Sequence, residues 1–271
     1  MNLIAIGDNV VDCYLDQKKY YPGGNCVNVA VNSKRNGAVN VAYIGIFGTD
    51  EKAEHIQYAL NEESVDFKLS RTAMGTSGQP QVSLTANGDR IFVGGAKNTV
   101  QHKFKLQLIK EDLDYISSFD ICHISCYSSM ESELDKINNV VDISYDFSNR
   151  LEIDYIASIA KSIKYAFFSA AELSESELNL FMEQLKIFNF ELIALTRGGL
   201  PAIFICKGEI FNQKLNPITV IDTMGAGDSL IGAFLVNYIN GVEIQMAIDN
   251  ATKSAEKTCA FYGGFGYPKE F

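Results

Sequence analysis

Short β-branched and aliphatic runs alternate along the chain with longer stretches of helical period. Leu3 to Ile6 is followed by a helix after Gly24, and Val41 to Ile46 by a helix that Asp50 opens. The rhythm returns later, at Ile121 to Ile124, Ile143 to Asp146, Tyr165 to Phe168 and Leu192 to Thr196, each preceding polar or helical residues. Strand, helix, strand in series predicts an α/β fold, a mainly parallel sheet covered by helices on both faces. Two stretches break the rhythm. Cys13 to Tyr21 and Gln79 to Val93 read as strands without intervening helices, and Asn87-Gly88 in the second is a hairpin signal. A small antiparallel sheet set apart from the main one is expected to be a lid or a dimer surface, the plainer alternative being an edge hairpin of the main sheet.

A chain of 271 residues suits one large domain with an appendage. With 23 basic against 33 acidic residues the net charge is −10, so the summed field repels nucleic acid and anionic membranes. It repels phosphates as well, so a nucleotide site has to be made locally, from backbone N–H groups, a helix N-terminus and a metal ion. The apolar part of Met1 to Asn9 is too short for a signal peptide, and no run approaches the roughly 20 apolar residues of a membrane span. Six cysteines without a C-x-x-C pair fit a reduced, cytoplasmic protein. Cys122, His123 and Cys126 admit a metal site, but they lie in a strand-like run with no second ligand pair and read as buried core.

Chemistry concentrates between residues 218 and 235, which read as strand, tight turn and helix. Gly225, Ala226 and Gly227 carry little or no side chain, so their N–H groups at a helix start can approach an anion closely. Asp228 follows in the first turn, and the expected strand before it ends in a second acid, Asp222. The bland alternative is that Asp228 caps the helix and the glycines turn the chain. Other glycine motifs fail: no Gly-Lys-Ser/Thr triplet exists for a Walker A loop, and Leu230 stands where the dinucleotide fingerprint needs glycine.

Asp222-Thr223-Met224-Gly225-Ala226-Gly227-Asp228 resembles the C-terminal signature of the ribokinase-like PfkB carbohydrate kinases. Pro22-Gly23-Gly24-Asn25-Cys26-Val27-Asn28-Val29-Ala30 resembles their N-terminal one, in the same order and separation. Within the family the likeness is greatest to the fructoselysine 6-kinases, through Ile6 to Asp12, Gly23 to Val31 and Asp146 to Ser148. The resemblance implies a ribokinase-like three-layer fold in a single domain, 1–271, with a discontinuous β lid from about 13–21 and 79–98. It implies ATP-dependent phosphorylation of a sugar hydroxyl, with fructoselysine at the 6-hydroxyl as the expected acceptor. A kinase for another ketose, ribose or a nucleoside is the first alternative, and a non-catalytic sugar- or nucleotide-binding protein the second.

Carried over position by position, the resemblance makes Asp228 the catalytic base and Gly225, Ala226 and Gly227 the cradle for charge on the transferring phosphoryl. Asp12, Gly24 and Asn28 become holders of sugar hydroxyls, while Thr196, Gly198 and Asn250 border ATP. Glu172 is expected to order Mg2+ through water, and Asp222 to ligate K+. Two departures stand out: Ser169 replaces the usual Asn, and Pro201 a usual glycine. Fructoselysine carries a secondary ammonium and a zwitterionic end, for which Asp8 and Asp146 are the candidate acids. Homodimerisation through the lid is a further expectation.

Overall fold

The computed structural model describes residues 1–85 and 90–271; the Asn87-Gly88 turn lies outside the described residues. The chain opens with β1 (Leu3–Gly7), the hairpin β2 (Val10–Tyr14) and β3 (Lys19–Gly23), then α1 (Asn25–Arg35), β4 (Val41–Phe47) and α2 (Glu51–Glu62). Next come β5 (Arg71–Thr72), β6 (Pro80–Leu84), β7 (Arg90–Gly95), α3 (Val100–Lys103) and α4 (Lys110–Ile116). A regular alternation follows: β8 (Ile121–Ser125), α5 (Leu134–Asn138), β9 (Ile143–Ser148), α6 (Ile153–Ile159), β10 (Tyr165–Ser169), α7 (Glu175–Leu185) and β11 (Leu192–Arg197). The chain ends with β12 (Leu200–Cys206), β13 (Glu209–Asn212), α8 (Ala226–Ile239), α9 (Ile244–Thr258) and β14 (Lys269–Glu270).

Among the described residues the large sheet has nine strands, in the order β13-β12-β11-β10-β9-β8-β1-β4-β5. From β11 through β5 neighbouring strands are parallel, and only the β11–β12 and β12–β13 pairings are antiparallel. Alternation along each strand explains why the inner ones read as continuously apolar. On β1, Leu3 and Ala5 join the core under α1, α2, α8 and α9, while Ile4 and Ile6 join the core under α4 to α7. The order reverses beside β1, which pairs with β4 on one side and β8 on the other. Such a switch point leaves a crevice beyond the carboxyl ends of the strands.

A second sheet, β14-β3-β2-β6-β7, stands apart. The two irregular stretches of the sequence meet there, through parallel pairing of Cys13 with Gln81, so the hairpin does not extend the edge of the main sheet. Its first hairpin starts at Val10, earlier than the apolar run suggested, and Tyr14, Tyr21 and Val82 pack with Met224 from the loop before α8.

The strand expected just before Asp222 does not form. Ile218 and Ile221 face solvent, and the N–H groups of Ile221 (2.8 Å) and Asp222 (3.4 Å) both bond to the Cys259 carbonyl at the end of α9. β-branched residues gave the segment strand character, but with no strand alongside its donors turn to a helix end. Cys122, His123 and Cys126 are buried, none of the six cysteines is in a disulfide, and no metal-binding group of His, Cys, Asp or Glu occurs among the described residues. Among those residues no helix is long and apolar enough to cross a membrane.

Two glycines set the position of α8. A Cβ on Gly232 would lie 3.0 Å from Ser33 N and Val29 O, so the bare backbone lets α8 cross close against α1. Gly225, which starts α8, has φ +71°, and a Cβ there would lie 2.5 Å from Gly264 Cα. Gly227, one turn position on, has open space around it. Gly225→Ala is expected to cost more than about 2 kcal/mol, through left-handed strain plus a backbone clash. Gly227→Ala should instead raise stability by about 0.5–1 kcal/mol. Urea unfolding of the two variants checks this contrast, and equal shifts would contradict it.

Candidate active site

The close crossing of α1 and α8 brings the two ends of the sequence together. Asn25 and Asn28 lie in the first turn of α1 and Asp228 in the first turn of α8. Asn25 Nδ2 donates to Asp228 Oδ1 and Asn28 Nδ2 to Asp228 Oδ2, each at 2.7 Å. Both carboxylate oxygens of Asp228 are thus held by amides of α1. Each carboxylate oxygen has two lone pairs, so a further donor can still be accepted.

Asn25 Nδ2 also donates to Asp146 Oδ2 at 2.7 Å, placing a second carboxyl beside the first. Asp146 lies two residues before the end of β9, and its Oδ1 accepts from Ser148 N at 2.7 Å. Burial, and then the charge of Asp228, push its pKa up to about 7. Asp8, just past β1, is buried and fully engaged: Oδ2 accepts from Asn25 N (2.7 Å), Oδ1 from Ser125 Oγ (3.0 Å) and Ser128 Oγ (3.2 Å). It ties β1 to β8 across the switch point.

On the small sheet, Asp12 is buried in β2 next to Gly23, where a Cβ would fall 2.3 Å from Asp12 Oδ2 and 3.9 Å from Asn28 Oδ1. Asp12 and Asn28 thus approach one another across a glycine. Among the described residues Asn28 Oδ1 is a buried acceptor without a hydrogen bond, the kind of atom a ligand hydroxyl satisfies. Gly24 has a backbone reason of its own, because φ is +103° and a Cβ would lie 2.9 Å from Asp8 O. Asp222 is fully buried, accepting from Tyr14 Oη, from Met224 N (2.9 Å) and from Gly263 N (2.9 Å). Burial and the neighbouring Asp222 charge raise the Tyr14 pKa, which keeps that hydroxyl a donor.

The remaining expected residues lie further along the same edge. Ser169 ends β10 and pairs with Thr196 on β11, whose hydroxyl bonds to Phe168 O at 3.2 Å. Gly198, at φ +61°, makes the tight β11–β12 turn, and Pro201 sits within β12. Glu172 is exposed just beyond β10. Asn250 on α9 donates to Asn237 Oδ1 at 2.9 Å, nine residues and about 13 Å along α8 from Asp228. Asn25 was not singled out as a site residue in the sequence; the polar residue directly after Gly23-Gly24 at a helix start was the available signal.

Residues 1–264 match the pfkB family carbohydrate kinases. The chain is 41% identical over 267 residues to the fructosamine kinase FrlD of Bacillus subtilis (strain 168), with 98% of this chain and 94% of that protein covered. It is 31% identical over 264 residues to a fructoselysine 6-kinase of Escherichia coli (strain K12), covering 97% and 99%. Among solved structures, the Arabidopsis thaliana ribokinase complexed with ribose and ATP aligns with a TM-score of 0.78 at 17% identity, over 97% of this chain and 93% of that one. The structural likeness speaks for the ribokinase-like fold, and the near-complete family match for more: the chain belongs to the pfkB family of carbohydrate kinases.

Proposed function

We propose that this carbohydrate kinase transfers the γ-phosphoryl group of ATP to the 6-hydroxyl of a fructosamine, fructoselysine being the type substrate. One observation carries the transfer: Asp228, at the open start of α8, has both carboxylate oxygens aimed by amides from the other end of the chain. The choice of acceptor rests on the 41% identity to a fructosamine kinase across nearly the whole chain.

In this reading Asp228 orients the acceptor hydroxyl and takes its proton as the bond to phosphorus forms. The N–H groups of Gly225, Ala226 and Gly227 receive negative charge on the phosphoryl oxygens, helped by the positive end of α8. Gly227 fits that task, since its missing side chain serves no packing need. Asp12, Gly24 and Asn28 hold the sugar, a substrate hydroxyl completing Asn28 Oδ1. Asp8 is spent on its internal hydrogen bonds, which leaves Asp146 as the acid better suited to charged parts of the substrate.

ATP would lie toward Thr196 and Gly198, with Asn250 at its far end. A bound Mg2+ would neutralise phosphate charge, and exposed Glu172 suits a water-mediated hold on it. Asp222 suits a potassium ion less well, because its carboxylate already takes three hydrogen bonds that fasten the loop. The small sheet is assigned the role of lid, excluding water from the transfer. Exposed Ile91, Phe92 and Val93 on its outer strand are the surface for a second copy of the chain. Buried cysteines without a disulfide support a place in the cytoplasm.

With ATP and Mg2+, fructoselysine should be phosphorylated faster than fructose, ribose or adenosine in a coupled ADP assay. A clear preference for a plain sugar or nucleoside would reject the acceptor and leave the kinase.

Asp228→Asn keeps the shape but removes the proton acceptor, so turnover should fall by roughly two to four powers of ten while the melting temperature stays near the parent's. Near-parental turnover would rule out Asp228 as the base.

Asp146 offers a test by pH. In the unfolded chain it ionises near 4, in the folded one at about 7. Between these values the unfolded state has released a proton that the folded state keeps, so stability falls as pH rises through this window. Asp146→Asn should therefore raise the melting temperature relative to the parent more at pH 8 than at pH 5; calorimetry at the two pH values decides, and a pH-independent difference contradicts the assignment.

A further inference from the structure

His123 lies within β8, fully buried. Its Nε2 is 2.9 Å from Asn25 Oδ1, and its Nδ1 is 3.0 Å from Ser144 Oγ on the neighbouring strand β9. The carboxylates decide which way protons point along this chain. Asn25 Nδ2 sits 2.7 Å from both Asp146 Oδ2 and Asp228 Oδ1, so it donates to each, and the opposite amide orientation would set an oxygen against two acids. Asn25 Oδ1 must then accept. His123 Nε2 accordingly carries the proton, leaving Nδ1 to accept from the Ser144 hydroxyl. Burial lowers the imidazole pKa to about 3, so this tautomer persists across the working pH range.

We propose that His123 is a positioning residue for phosphoryl transfer: it locks the Asn25 amide, and through it the Asp228 carboxylate, in the orientation that receives the proton of the acceptor hydroxyl. The inference rests on the kinase reading of Asp228. Without the imidazole the Asn25 amide loses the donor to its oxygen, and its hold on the Asp228 carboxylate slackens. Both ring nitrogens are satisfied, by Ser144 and Asn25, so the series Ser144, His123, Asn25 is complete.

The pair Asp146 and Asp228 is faced by Asp8 beyond β1 and by Cys126 and Tyr127 beyond β8. Burial pushes Cys126 and Tyr127 upward, so both keep their protons near neutrality. The acid side of a rate profile then reports on carboxyls. Removing the Asn25 donor makes protonation of Asp146 and Asp228 easier, moving that limb to higher pH.

Two substitutions separate positioning from packing. The amide nitrogen of His123→Gln reaches the place of Nε2 and can donate to Asn25. His123→Asn is shorter, keeps a partner for Ser144 and falls short of Asn25. Both bury one amide in the same strand, so a merely structural role affects them alike. Steady-state kinetics with ATP and fructoselysine should leave the Gln variant within about threefold of the parent kcat with an unmoved acid limb, and lower the Asn variant about 10- to 100-fold. In the Asn variant the acid limb shifts upward while KM for ATP changes by less than about twofold. Equal losses in the two variants, no loss in either, or an unmoved limb in the Asn variant would overturn the proposal. So would a parent spectrum, in long-range proton–nitrogen NMR, with the proton on Nδ1, a measurement that does not depend on either variant folding. A parent lacking kinase activity overturns the kinase reading itself; an active parent with indistinguishable variants overturns only the role of His123.

Discussion

Asn25 Nδ2 donates at 2.7 Å to two carboxylates at once, Asp146 from β9 and Asp228 from the start of α8. Two acids this close repel when both are ionised, and an amide shared between them is what allows the arrangement to exist near neutral pH. Burial first, and the charge of Asp228 second, raise the Asp146 pKa to about 7. Much of the surrounding structure serves the same amide. Asp8 accepts from the Asn25 backbone, His123 meets its side-chain oxygen, and Ser144 meets His123. Removing any one of these leaves a buried polar atom without its partner, which is why the group is better regarded as one network than as separate contacts.

That network sits where the topology puts open space. Parallel strands on either side of β1 and β8 carry their helices away in opposite directions, so the carboxyl ends of these strands face a crevice. Asp8 and Ser125 span the gap, α1 and α8 point their N-termini into it, and the small sheet lies against the same region through Tyr14 and Asp222. A protein with net charge −10 can attract phosphate at such a place because the attraction is local, from helix N-termini and bare N–H groups. The small sheet and the cradle also share an anchor. Asp222 joins β2 to the loop that leads into Gly225, beside the packing of Tyr14, Tyr21 and Val82 on Met224.

The sequence alone determined the alternation of strands and helices, the parallel character of the sheet and the separateness of the two irregular stretches. These depend on local periodicity, which is written residue by residue. The Gly225 to Asp228 motif was recognisable for the same reason, being contained in neighbouring positions. Other features were decided only in three dimensions. The β-branched run before Asp222 carried strand propensity, yet with no strand beside it its donors went to the Cys259 carbonyl. Asn25 and His123 looked like a helix residue and a core residue because their partners lie about 100 to 200 positions away in sequence, a distance across which no local pattern operates. Asp146 likewise drew its raised pKa from burial and from Asp228, neither of which exists until α1, α8 and β9 are packed together. Local order follows from backbone preference and side-chain period, whereas the polarity of a site follows from which distant groups the core forces into contact.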